Sequence, residues 1–215
     1  MSDNPFDAPQ SQAIPKVQQS PGALTVICVF CLILGIMGVL GSCMNGVALA
    51  AQGTLAKMIE DMPGDPSQKE LQKIQMQAAG DTAIPNLVLA GINVIVGSLL
   101  VFGSIGGLRR KESGRGMLRI ALLAAIIYSV LKIIVMIYTT ITTTAALQSG
   151  LAENPALGGE AKAIADMTAY FSYGGLAFGV VISLAIMGFY IWSRGYLNKE
   201  NVVQYFASAE TAPKY

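Results

Sequence analysis

Between Lys16 and Lys57 the chain reads VQQSPGALTVICVFCLILGIMGVLGSCMNGVALAAQGTLA, with no Asp, Glu, Lys or Arg anywhere in it. A helix needs about 20 mostly apolar residues to cross a hydrocarbon core roughly 30 Å thick, and this stretch exceeds that length. Two more stretches share the property, from Asp81 to Arg109 and from Asp166 to Arg194. In a fourth, from Arg119 to Glu153, only Lys132 interrupts. The pattern predicts an all-α membrane fold, a bundle of four antiparallel transmembrane helices. The spans are expected at about 23–51, 83–108, 117–147 and 168–193. They sit in a membrane domain over 22–197, with a tail on each side, 1–21 and 198–215.

Composition agrees. Charged residues make up 13 % of the chain and hydrophobic ones 53 %, where a soluble domain carries about 25 % charged. The 23 Gly and 10 Met suit membrane helices, in which Gly is commoner than in soluble ones. The first 21 residues hold Asp3, Asp7 and a single basic residue, Lys16, so they lack the basic leader and cleavage site of a secretory signal. The first span is therefore expected to remain as an anchor. The tail Met1–Pro21, rich in Pro, Gln and Ser, is expected to be disordered.

Charge segregates along the chain. The link between spans two and three carries Arg109, Arg110, Lys111, Arg115 and Arg119, and the tails add Lys16, Arg194, Lys199 and Lys214. The opposite loops hold only Lys57, Lys69, Lys73 and Lys162, together with eight of the 13 acids. Lys and Arg collect on the cytoplasmic side, so both termini are expected there. The aromatic belts would then be Tyr190, Trp192 and Tyr196 at the inner interface and Tyr170, Phe171 and Tyr173 at the outer one. In the first outer loop Pro63-Gly64-Asp65-Pro66 breaks a helix. Ser67 with Glu70 forms a capping box ahead of Leu71, Ile74 and Ala78. This predicts a helical extracytoplasmic hairpin between spans one and two. In the C-terminal tail, Val202, Val203, Tyr205 and Phe206 predict a short interfacial helix.

Membrane helices associate through small residues that let backbones approach. Gly38, Ser42 and Gly46 form such a stripe in the first span, flanked by Gly35 and Gly41. Gly103 and Gly107 do so in the second, beside Asn93 and Gly97, and Gly175, Gly179 and Ser183 in the fourth. The third uses Ala121, Ala125 and Ser129. These stripes serve packing within the bundle or a homo-oligomer.

Lys132 is out of place. It lies 13 residues beyond Arg119, roughly 20 Å along a helix, near mid-membrane. A central Lys costs about 2.5–3.5 kcal/mol on insertion scales and usually faces the bundle interior or water. No Asp or Glu occurs inside any span. Asn93 and Ser98 on the second span and Ser183 on the fourth fall at compatible depths as hydrogen-bonding partners. Three readings compete: a tolerated snorkelling lysine, a contact to a carboxylate or lipid phosphate of a partner, and the lining of a polar cavity for transport.

Reactive constellations are missing. Without histidine no Ser/His/Asp or Cys/His set exists, and no aspartate pair lies within the spans. Cys28-x-x-Cys31 is embedded in an apolar run and reads as buried thiols, with Cys43 further along the same helix. The chain is expected to be no enzyme and to use no metal or cofactor. The link at Arg109, Arg110, Lys111 and Arg115 reads as a topology signal and a contact for anionic lipid, not for nucleic acid. The run Thr139–Thr144 reads as the outer helix end, with hydroxyls bonded back to the preceding turn.

The opening Met1-Ser2-Asp3-Asn4-Pro5-Phe6-Asp7-Ala8-Pro9 resembles the Asn-Pro-Tyr/Phe leader of many uncharacterised bacterial multispan proteins. The segment Gly106-Gly107-Leu108-Arg109-Arg110, with Gly114-Arg115 and Leu118-Arg119, is similar to the inner turn of small bacterial four-span proteins. This resemblance implies a bacterial inner membrane and carries no activity. The chain also resembles the secretory carrier membrane protein family, which has four spans and Asn-Pro-Phe repeats that bind trafficking adaptors. Asn4-Pro5-Phe6 would be the matching repeat here, while that family's Cys-Trp-Tyr-Arg-Pro segment is missing. Three functions are thus expected in order: a non-enzymatic assembly or scaffold component in contact with the bilayer and with copies of itself or another membrane protein; a small oligomeric channel or transporter using Lys132; and a trafficking protein.

Overall fold

The computed structural model describes residues 22–61, 66–153 and 158–210, and all secondary structure among the described residues is helical. The helices are α1 (Gly22–Asp61), α2 (Pro66–Asp81), α3 (Ala83–Leu108), α4 (Glu112–Glu153), α5 (Gly158–Tyr196) and α6 (Glu200–Glu210). Four are long and apolar enough to span a bilayer: Gly22–Ala48 of α1, Ala83–Leu108, Glu112–Ala152 and Lys162–Tyr196. A helix is what lipid demands, because it pairs each backbone N–H and C=O internally. The protein is membrane-embedded. The Asn4-Pro5-Phe6 motif, the Pro63-Gly64-Asp65 and Asn154-Pro155 turns and Lys214 lie outside the described residues.

The second span has the bounds expected, while α1, α4 and α5 overrun theirs. Apolarity marks depth in the bilayer, not the end of a helix, and the flanks Gln148–Glu153 and Glu160–Asp166 are good helix formers that continue the ladder. The Thr139–Thr144 run therefore lies inside α4 rather than at its end. Between α2 and α3 only Thr82 intervenes. Pro85 explains the break: it lacks an N–H and its ring clashes with the carbonyl four residues back, at Asp81. It sits in the first turn of α3, where proline is tolerated.

The spans pack in chain order, α1 on α3, α3 on α4 and α4 on α5, and α2 lies mainly against α4. Antiparallel pairing follows from the contacts. A Cβ on Gly35 would meet the Gly97 carbonyl at 2.7 Å, and one on Gly107 would meet Cys28 Sγ at 2.9 Å. Likewise Gly103 faces the Leu118 backbone at 2.9 Å and Gly106 faces Gly114 Cα at 2.7 Å. The glycines thus set the distance of α3 from both neighbours. Other stripe members do less: Gly179 abuts Met136 Sδ, whereas Gly41, Gly46 and Gly175 face open space.

The core is concentrated at the end bearing the Arg109–Arg119 link, here called the basic end. Ile27, Cys28 and Cys31 of α1, Leu100 of α3, Leu118, Ala121 and Leu122 of α4, and Tyr190 of α5 are buried together. α6 joins them. Its Val202, Tyr205 and Phe206 are buried with Leu197, so the expected interfacial helix is docked on the bundle. Arg115 clamps the joint, pairing with Glu112 and donating from Nη1 to the Leu197 carbonyl at 3.4 Å. The α3–α4 turn closes with Lys111 N–H to the Gly106 carbonyl and Arg110 N–H to that of Gly107, both at 3.1 Å. This geometry requires a left-handed residue, and Arg110 supplies it at φ 55°. Its guanidinium lies over the Tyr205 ring at 4.7 Å.

Candidate functional site

Above this core the four spans diverge around a cavity of about 560 Å³. Each helix gives it one face at helical spacing: Leu34, Gly38, Ser42 and Asn45 of α1; Asn86, Asn93, Val96 and Leu100 of α3; Ala125, Tyr128, Ser129 and Lys132 of α4; Ser183, Ile186 and Tyr190 of α5. The volume falls within the about 300–1,000 Å³ usual for small-molecule pockets. Its floor is the buried trio Leu100, Ala125 and Tyr190, which continues into the core below. At the other end its residues Asn45 and Asn86 are exposed. The cavity is therefore closed towards the basic end and open away from it.

A second hollow of about 390 Å³ shares Asn86 and lies further from the basic end. It is rich in hydroxyls: Thr82, Thr139, Thr140, Thr143 and Ser172. One stripe of α4 runs through both hollows, Ala125, Ser129, Lys132, Met136, Thr139 and Thr143, at alternating steps of three and four residues. Reading the threonines as a helix end missed this. The spacing from Lys132 to Thr139 and Thr143 was the available signal.

Lys132, Asn93 and Ser183 line the same cavity, and Ser98 does not. Ser98 donates to the Val94 carbonyl at 2.7 Å and borders a separate, apolar hollow with Ile36, Leu40 and Phe102. Asn93 has a packing role: its Nδ2 donates to the Gly38 carbonyl at 2.9 Å and to Ser42 Oγ at 2.8 Å, tying α3 to α1. Ser42 and Ser129 donate to the carbonyls of Gly38 and Ala125. Two polar groups differ. Ser183 is 4 % exposed and its Oγ has no partner. Lys132 lines the cavity, is exposed, and forms no hydrogen bond or ion pair among the described residues. Among the described residues no carboxylate lines either hollow.

The wall is incomplete between α1 and α5. These helices meet near the basic end, where Phe30 and Phe189 rings lie 5.7 Å apart and continue through Trp192 to Tyr196. Beyond this ladder, Gly174 and Gly175 of α5 face open space.

Cys28 and Cys31 are buried in the floor region and Cys43 is exposed; all three are free thiols. Among the described residues no group of three His, Cys, Asp or Glu is placed to hold a metal ion. At the basic end Arg115 pairs with Glu112, Arg110 lies over the Tyr205 ring, and Arg109, Arg110 and Lys111 are all exposed. Comparison with protein-family models, with curated proteins and with solved structures finds no match.

Proposed function

We propose that this is a non-enzymatic integral protein of a bacterial inner membrane that admits a small solute from outside into the cavity at Lys132, as a channel or transporter does. The observation that carries this reading is the pair of neighbouring hollows that share Asn86, lined in part by hydroxyls and amides, with the unpaired amine of Lys132 in the wall of the first. Thr139 and Thr143 lie 20 and 24 residues beyond Arg119, about 30–36 Å along α4. That matches a roughly 30 Å core, so the mouth falls at the lipid headgroups. A solute reaching Lys132 would not have to cross hydrocarbon. With both termini and the Arg109–Arg119 link cytoplasmic, as the charge asymmetry favours, the mouth faces outward.

The test is flux in liposomes reconstituted with the wild type and with Lys132→Met. Uptake of small solutes by the wild type and its loss in the variant is expected. Equal flux, or none in either, would overturn the reading. Orientation is tested separately by Ser113→Cys, which should react with an impermeant maleimide only after the cells are opened.

A second reading, an assembly component, is favoured by the open α1–α5 seam. On α5, a Cβ on Gly174 would meet nothing within 4 Å, which leaves room for the backbone of another helix. Crosslinking in native membranes should then trap a dimer or a larger complex through that seam, and a strictly monomeric protein would sink the idea.

A further inference from the structure

Lys132 and Ser183 belong to different helices, and each brings an unsatisfied donor to one cavity. We infer that this cavity is a binding site for a small monocarboxylate with an apolar body, its carboxylate received by Lys132 and Ser183. The assignment rests on the reading of the cavity as a solute site and names the ligand's chemistry. Among the described residues Lys132 is the only charged side chain in the lining, so one negative charge is matched and a dianion would be left half compensated in a low-dielectric setting. The amine offers donors and no acceptor, and the Ser183 hydroxyl is 96 % buried with none of its capacity used (4 % exposed). Together they suit an acceptor with two oxygens. The neighbouring amide of Asn93 does not compete, because both of its donor contacts go to α1.

The rest of the wall chooses the body. Leu34, Met37 and Ile186 present apolar surface beside the polar pair. A cavity of about 560 Å³ is far larger than a bare halide needs. An apolar chain of several carbons fits within that volume beside Leu34, Met37 and Ile186. A carboxylate carried on a partner's transmembrane helix would meet the same donors, but 560 Å³ between packed spans does not hold a helix about 10 Å across.

Octanoate is the probe, titrated by calorimetry into the purified full-length protein in phosphatidylcholine nanodiscs, with octanol and octyltrimethylammonium as matched neutral and cationic controls. Octanoate should bind saturably, and both controls at least about tenfold more weakly, as expected for a charge-assisted hydrogen bond. Lys132→Met should weaken octanoate at least about tenfold, and Ser183→Ala by about three- to tenfold. Lys132→Arg should retain binding. Each variant is checked for an unchanged helical spectrum, and Ser183→Ala, which removes a single oxygen, keeps the test informative if Lys132→Met misfolds. Equal binding of octanol and octanoate, or octanoate binding indifferent to both substitutions, overturns the assignment. So does absence of octanoate binding, whether or not a photoreactive residue in place of Met37 captures a partner helix. If another solute still shows Lys132-dependent flux, the ligand class falls and the uptake reading stands. Octanoate binding without any flux has the opposite meaning.

Discussion

The Asn93 amide commits its Nδ2 to α1 twice, at the Gly38 carbonyl and at Ser42 Oγ. Hydrogen bonds between membrane helices average about 0.6 kcal/mol and reach about 1.7, so Asn93→Leu should lower stability by about 1–2 kcal/mol in a thermal or denaturant melt. At the α3–α4 turn, Arg110 occupies a backbone region that costs a non-glycine residue roughly 1–2 kcal/mol. Arg110→Gly should therefore be more stable than Arg110→Ala by about 1 kcal/mol, although both lose the Tyr205 contact. The expected depth of Lys132 comes from its distance to Arg119, since rise per residue gives depth. Ser98 shows where that reasoning stops. It lies five residues from Asn93, and at about 100° per residue that turns it about 140° away, out of the cavity. Depth without helical phase does not define a site.

Between elements, the glycines separate into those that set a distance and those that face space. Gly35→Leu would drive a side chain into the Gly97 carbonyl, and overpacking of this kind costs about 1–3 kcal/mol. Gly41→Ala, about one and two-thirds turns further along α1, places its Cβ where nothing lies within 4 Å and should not lower the melting temperature. Sequence spacing marked both as small-residue positions and had no means to tell them apart, because the neighbour supplies the difference. The same holds for α6. Val202, Tyr205 and Phe206 make an apolar stripe at i, i+3 and i+4 that would serve lipid or protein equally. Burial at the floor of the bundle decides for protein. Phe206→Ala should cost about 3–5 kcal/mol, the usual loss for a buried aromatic, where a residue merely resting on lipid would cost far less. Circular dichroism melts of the two-helix junction variants Leu197→Ala and Phe206→Ala would read this directly.

At the scale of the whole molecule, four helices long and apolar enough to span a membrane were legible, because charge is so costly in hydrocarbon that its absence marks them in the chain. The cavity was not, since it arises from how far helices diverge above a shared floor, and no local pattern encodes divergence. The lengths of the helices carry one more consequence. α3 has 26 residues, about 39 Å, whereas α1, α4 and α5 have 40, 42 and 39. α4 and α5, apolar over 41 and 35 residues, can slide or lean in bilayers of different thickness and still keep apolar residues in contact with acyl chains, whereas the apolar part of α1, Gly22–Ala48, has 27. α3 has no such reserve. Hydrophobic mismatch, which costs fractions of a kcal/mol per ångström, therefore falls on the one helix that glycines hold against both neighbours. Reconstitution across phosphatidylcholines of increasing acyl length should give a melting temperature with a maximum at intermediate thickness, and a flat response would count against α3 as the limiting element. A membrane that thins would tilt the longer α4 and α5 around a fixed α3, making bilayer thickness itself a control on the gap between α1 and α5.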